Sequence, residues 1–172
     1  MRRMVWLALG LVLVLAGCGG PARKATGPAA PGTPWPLWRV PAFGVALRHP
    51  PGWTVAPGYL ARRQGRTGFV SLNALQGAGL SARAAAQAQL DQPLDPFGAK
   101  PRLEPTRIDG EQAYLILPSA DQAAQYQGMA EALVLYPKPQ AISGTPYRYL
   151  IVTATSRYLQ RVVATLKFSQ GP

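Results

Sequence analysis

The side chains that most often do chemistry are scarce in this chain: one cysteine, one histidine and seven carboxylates in 172 residues. A single cysteine, Cys18, excludes an intrachain disulfide. A single histidine, His49, excludes two-histidine metal sites. The carboxylates Asp91, Asp95, Glu104, Asp109, Glu111, Asp121 and Glu131 are scattered. Only Asp91 and Asp95 are close enough to weigh as part of a weak calcium site, against the plainer role of helix end and loop cap. A Ser-His-Asp triad has to run through His49, with Ser71 or Ser119 as nucleophile, and no G-x-S-x-G elbow exists. Gly77-Ala78-Gly79 lacks the Lys-Ser/Thr that completes a phosphate loop. No cofactor and no metal are expected.

Long apolar runs are also missing, with one exception near the start. Val5–Ala16 (VWLALGLVLVLA) follows the positive head Met1-Arg2-Arg3-Met4. As a helix it extends ~18 Å at ~1.5 Å per residue, short against a bilayer core of roughly 30 Å. Its length and flanks fit a signal-peptide core instead. The run ends in Leu15-Ala16-Gly17-Cys18, which resembles the bacterial lipoprotein lipobox. The resemblance implies that residues 1–17 are a lipoprotein signal peptide, cleaved before Cys18. It also implies a diacylglyceryl thioether on Cys18 and acylation of the new N-terminus. Each buried CH2 contributes about 0.8 kcal/mol, so two or three chains hold stably. The alternatives are an ordinary secretory signal cut elsewhere and a cysteine that is only a small buried hydrophobe. The expected location is the cell envelope, membrane-anchored on the extracytoplasmic side.

Basic charge, by contrast, is plentiful. Lys and Arg number 18 against 7 acids, a formal net charge of +11, and 14 of the 18 are Arg. Loss of residues 1–17 removes Arg2 and Arg3 and leaves 16 against 7, or +9. An anionic partner is one reading, and for a tethered protein the nearest is the membrane surface, where each basic residue is worth about 1 kcal/mol. Export argues against nucleic acid. Solubility, or a genome that favours Arg, Ala, Gly and Pro, is the other reading. The densest group is Arg62-Arg63-Gln64-Gly65-Arg66, so Arg62, Arg63 and Arg66 form the predicted contact surface.

Residues 18–39 are expected to be a Pro/Gly/Ala-rich tether, too poor in apolar residues to offset its ordering entropy. Trp35 and Trp38 mark its end, either capping a core or lying at the lipid interface. Residues 40–170 are expected to form a single α+β domain. Strands are predicted over Phe43–His49, Trp53–Val55, Tyr59–Arg63 and Gly68–Leu75, the last two joined through Gln64–Thr67. Ser81 is a helix N-cap ahead of ARAAAQAQL, which runs to about Gln92. Pro93, Pro96, Gly98 and Pro101 impose a loop. Asp109-Gly110 turns Leu103–Ile108 into Gln112–Leu117. Residues 118–128 form a loop, Met129–Tyr136 and Pro146–Thr155 are strands, and Ser156 caps a closing helix. Leu159, Val162, Val163 and Leu166 share one face of that helix. The sum is a mainly antiparallel sheet flanked by helices. Tyr147, Tyr149 and Tyr158 are expected in the core or on a sheet face.

The order of these segments, from HPPGW (residues 49–53) through GFVSLNAL, DGEQAYLI and YRYLIVTAT to VVATLKF, is similar to the PsbP/Mog1-like group over residues 43–168. The resemblance implies an α/β/α sandwich and a mostly non-catalytic role, as an extrinsic or lipid-anchored accessory protein of membrane complexes. The resulting expectation is a lipid-anchored accessory or binding protein that docks on a membrane complex or an anionic membrane surface. Two alternatives stay open: a carrier of a small apolar ligand, which needs an apolar pocket rimmed by tyrosine, and a hydrolase using His49.

Overall fold

Alternation in YRYLIVTAT sends Leu150, Val152 and Ala154 to one side of a strand and Tyr149, Ile151 and Thr153 to the other, and nearly all of them are buried. A strand buried on both faces has to lie inside a layered domain. The computed structural model describes residues 34–169. The expected signal peptide 1–17, Cys18 and the expected tether as far as residue 33 lie outside the described residues.

The elements are β1 (Leu37–Val40), β2 (Val45–Arg48), β3 (Thr54–Val55), β4 (Arg62–Gly65), β5 (Gly68–Leu75), α1 (Ala82–Leu90), β6 (Arg102–Ile108), β7 (Glu111–Leu117), β8 (Met129–Ile142), β9 (Thr145–Thr155), α2 (Ser156–Val163) and β10 (Lys167–Phe168). A seven-stranded sheet runs β3-β4-β5-β9-β8-β7-β6, and a three-stranded sheet runs β1-β2-β10. Every pairing is antiparallel. The domain is therefore α+β, as its patterning predicts. One face of the large sheet (Val70, Leu72, Ala132, Val134, Leu150, Val152) packs with Leu159, Val162, Val163 and Leu166 and with the small sheet. The other face is covered by α1, whose buried Ala82, Ala85 and Ala86 meet Leu133 and Tyr149. Alanines let the helix sit close, and the Tyr149 hydroxyl donates to the Leu80 carbonyl at 2.6 Å to hold its entry. The cover is partial. Helix α1 packs chiefly on β7 and β8 and reaches the Tyr149 end of β9.

Several local expectations are confirmed. Ser81 Oγ accepts from the Ala84 N–H at 3.2 Å, as an N-cap should. Asp109 (φ 52°) and Gly110 (φ 85°) make a turn with both central residues left-handed, the hairpin geometry that Asp-Gly favours. Others are corrected. The fold begins before residue 40: residues 37–39, assigned to the tether, join Val40 in a strand that pairs with β2 and buries Trp38 and Val40. Phe43 sits in a 3-10 turn, Pro41–Phe43, so the strand starts at Val45. Strand β4 starts at Arg62 rather than Tyr59, and its hairpin turns through Arg66 and Thr67 alone.

Strand β8 continues past Tyr136 to Ile142 despite Pro137 and Pro139, because a register shift between Leu135 and Gln140 bulges the prolines out of the ladder. The closing helix ends at Val163, and Lys167–Phe168 returns as a strand against β2. Ser156 is its first helical residue, not its cap, and its hydroxyl donates to the Gly128 carbonyl at 2.6 Å.

Candidate functional site

Adjacent residues of a strand point to opposite faces, and this divides the arginine group. Arg62 pairs with Ser71 and Arg63 with Val70, so the two side chains leave the sheet on opposite sides. The Arg62 guanidinium lies 4.1 Å from the Phe69 ring centroid and 4.5 Å from that of Tyr59. The Arg63 guanidinium lies 5.5 Å from the Trp38 ring centroid. Arg66 is exposed in the β4–β5 turn. The predicted contact surface is thus three separate arginines, and Arg63 alone belongs to a larger assembly.

That assembly is built where the chain enters the domain. Trp35 meets Tyr158 edge-on at 6.0 Å, and Tyr158 meets Trp53 at 5.2 Å. Trp53 stacks with His49 at 6.5 Å, and His49 meets Trp38 at 6.3 Å. Glycine is required at position 65 because any Cβ there collides with the Trp53 ring. Cations cover the rings: Arg161 lies 4.1 Å over Trp35 and Arg157 4.8 Å over Tyr158. Arg48 Nη1 donates to the Trp35 carbonyl at 2.6 Å, and Arg157 donates to the Thr67 carbonyl. The two salt bridges among the described residues, Arg102–Glu104 and Lys167–Asp109, involve none of these cations. Trp35 and Trp38 therefore both pack on the domain.

His49 is buried inside this cluster. Its Nδ1 donates to the Pro50 carbonyl at 2.8 Å, which fixes the tautomer. Burial pulls its pKa below the ordinary value, against the Pro50 hydrogen bond, and the charge of Arg63 adds to the lowering. Neither proposed nucleophile reaches it. Ser71 donates to the Ala61 carbonyl at 3.4 Å, and Ser119 is engaged with Asp121 and the Phe97 carbonyl. Asp91 is the C-cap of α1 and accepts from Gln87 Nε2 at 3.0 Å, the capping role. No metal-ligand group of three or more His, Cys, Asp or Glu forms among the described residues. Tyr149 is in the core beneath α1, while Tyr147 and Tyr158 are partly buried against the core on the opposite face of the sheet.

A second site was not foreseen. Cross-strand partners place Arg62, Ser71, Thr153, Glu131 and Ile116 in one row across β4, β5, β9, β8 and β7. Four of its members, Arg62, Ser71, Thr153 and Glu131, floor a cleft of about 370 Å3, walled by Tyr59, Leu60, Leu94, Phe97, Tyr126 and Met129; Ile116 is buried and lies outside it. Leu60 (80 % exposed), Leu94 (69 %) and Tyr59 (54 %) make an apolar, tyrosine-bearing rim.

Glu131 is only 6 % exposed. The Thr153 hydroxyl donates to its Oε2 at 3.3 Å, while Oε1 is buried without a hydrogen-bond partner. Burial raises its carboxyl to about 7, against the smaller opposing effect of the Thr153 hydrogen bond. The signal in the sequence was a glutamate amid apolar residues, MAEALVL, on a strand buried on both faces. A larger groove of about 630 Å3 beside Tyr136 and Phe168 has no buried acid in its lining. No protein-family model matches the chain, and no curated protein matches its sequence.

Proposed function

We propose that this chain is a lipid-anchored accessory or binding protein of the cell envelope, held by acyl chains on Cys18 and docked on the anionic membrane surface through the arginine–aromatic face around Trp35. The observation that carries the reading is the position of that face. Arg48, Arg157 and Arg161 are exposed, have no carboxylate partner among the described residues, and surround Trp35, near the start of the described chain. About 17 residues separate Cys18 from Trp35. A chain of that length reaches at most about 60 Å when extended, so an anchor at Cys18 would hold the Trp35 end of the domain within that distance of lipid. Each arginine brought to the surface contributes about 1 kcal/mol, and the half-buried Trp35 offers an amphipathic ring at headgroup level. The lipobox resemblance and the PsbP/Mog1-like layout support the same role.

Two measurements test it. Intact-mass analysis of protein from native membranes should show a lipidated N-terminal Cys18; an unmodified thiol removes the anchor. The mature chain prepared without lipid should sediment with vesicles containing phosphatidylglycerol and not with pure phosphatidylcholine. The double change Arg157→Glu and Arg161→Glu should weaken that binding at least tenfold, at about 1 kcal/mol per charge removed and more on reversal. Unchanged sedimentation rejects the docking face.

A further inference from the structure

The cleft on the opposite face of the sheet has a chemistry that membrane docking does not use. Its floor changes character along a single row. At one end the Arg62 guanidinium is already held between the faces of Tyr59 and Phe69. In the middle are the Ser71 and Thr153 hydroxyls, the first turned to the Ala61 carbonyl and the second to Glu131. At the other end is the Glu131 carboxyl, with one oxygen unsatisfied. Three strand spacings, about 14 Å, separate Arg62 from Glu131 along the backbone. The described residues contain no ion pair between them.

A buried carboxyl oxygen without a partner costs stability, as does burial of the charge itself. Both costs fall if a ligand brings an N–H donor and a positive charge to Glu131 together. The walls require the rest of such a ligand to be apolar. Leu60, Leu94 and Tyr59 are among the most exposed large apolar side chains in the described residues, and Phe97 and Met129 extend the surface inward. A volume of about 370 Å3 falls in the ~300–1,000 Å3 range of small-molecule sites.

We infer that this cleft binds a small amphipathic amine, its ammonium head against the Glu131 carboxylate and its apolar body beneath Leu60 and Leu94. Both ends of the row carry a buried polar atom without a hydrogen-bond partner, Arg62 Nε and Glu131 Oε1; the faces of the Arg62 guanidinium are covered by Tyr59 and Phe69, which leaves the carboxyl to take the head group. An ammonium beside Glu131 favours the ionised carboxylate, which burial alone holds half-protonated near neutrality. The other ionisable side chains lining the cleft are Arg62, Tyr59 and Tyr126.

The test titrates the mature chain with three probes of equal chain length, octylamine, octanol and octanoate, followed by amide and methyl NMR shifts. Octylamine should bind and move the signals of Glu131, Thr153 and Leu94. Octanol should bind at least about tenfold more weakly, for want of a charge-assisted hydrogen bond, and octanoate should not bind. Glu131→Gln, which keeps the shape and removes the charge, should weaken octylamine about tenfold or more. Leu94→Lys, at an exposed rim position that folding does not need, should do the same if the glutamine variant fails to fold. Arg161→Glu, on the membrane face, should leave octylamine binding intact, so the two sites fail separately. Equal affinity for octanol, preference for octanoate, no binding of any probe, or unaltered octylamine binding in both cleft variants overturns the assignment.

Discussion

Glu131 and Arg63 show how a single residue departs from the expectation set by its neighbours. Because burial raises the Glu131 carboxyl from an ordinary 4.5 to about 7, the folded state holds its proton over a range where the unfolded chain has lost it. The stability linked to this group is fully present below about pH 4.5 and is lost as pH rises through 7. At about 1.36 kcal/mol per unit, the loss by pH 8 is roughly 3 kcal/mol. Glu131→Gln should therefore be the more stable protein at pH 8 and nearly matched to the parent at pH 4.5, as read by urea unfolding at both values; equal differences at the two pH values reject the buried-acid account. His49 acts in the opposite sense. Its depressed pKa means that stability is present above its unfolded value of 6.5 and is lost as pH falls below it. Comparison with Glu131→Gln separates the two groups, since only the acid's share disappears. The side of the sheet that each arginine takes was legible without a structure. Arg62 and Arg63 are neighbours in a strand, and period two forbids them one face. What was not legible is the row Arg62–Ser71–Thr153–Glu131, because its members lie on four strands and their register depends on every turn between them.

Among the elements, the strands that follow strict alternation and the Asp-Gly turn were readable, and those that break the usual proline rules were not. Strand β1 hides behind Pro34 and Pro36, and the outer half of β8 behind Pro137 and Pro139, which the bulge accommodates. Strand β10 is two residues long and exists because it completes the edge of β2. What fixes it there is a turn residue. Asp109 accepts from Lys167 Nζ at 2.6 Å and from the Phe168 N–H at 2.8 Å, so the β6–β7 hairpin tip clamps the end of the described chain. Burial opposes ionisation of Asp109, and the hydrogen bonds from Lys167 and Phe168 outweigh it, holding the carboxyl below its usual range. The φ of 52° at Asp109 also favours Asp, Asn or Gly. Asp109→Asn keeps the turn and weakens the clamp, for an expected cost of about 0.5–1 kcal/mol. Asp109→Ala loses both and should cost about 1–2 kcal/mol more, through backbone strain and the abandoned Phe168 N–H. Hydrogen exchange at Phe168 should accelerate in both variants. Protection there that survives Asp109→Ala shows that β10 is held by its ladder with β2 alone.

At the scale of the whole molecule, the large sheet separates two surfaces of different character. The α2 side carries the tether root and the uncompensated arginines Arg48, Arg157 and Arg161, while the α1 side carries the cleft with its buried acid. Under the proposed anchoring at Cys18, the first would face lipid and the second the medium. Trp35, Trp38 and Trp53, the tryptophans of the described residues, can report this orientation because they differ in burial. Trp38 is 8 % exposed and Trp53 6 %, whereas Trp35 is half-buried at the surface. On anchored protein, a quencher placed at headgroup depth in phosphatidylglycerol vesicles should dim the tryptophan emission mainly through Trp35, so Trp35→Phe should abolish most of the effect. Raising salt from 0.15 M to 1 M shortens the screening length from about 8 Å to about 3 Å. The arginine contacts weaken, the face lifts on its tether, and quenching should fall while the acyl chains still hold the protein on the vesicle. Quenching that ignores both the salt and Trp35→Phe means the domain meets the membrane by another face, or does not meet it at all.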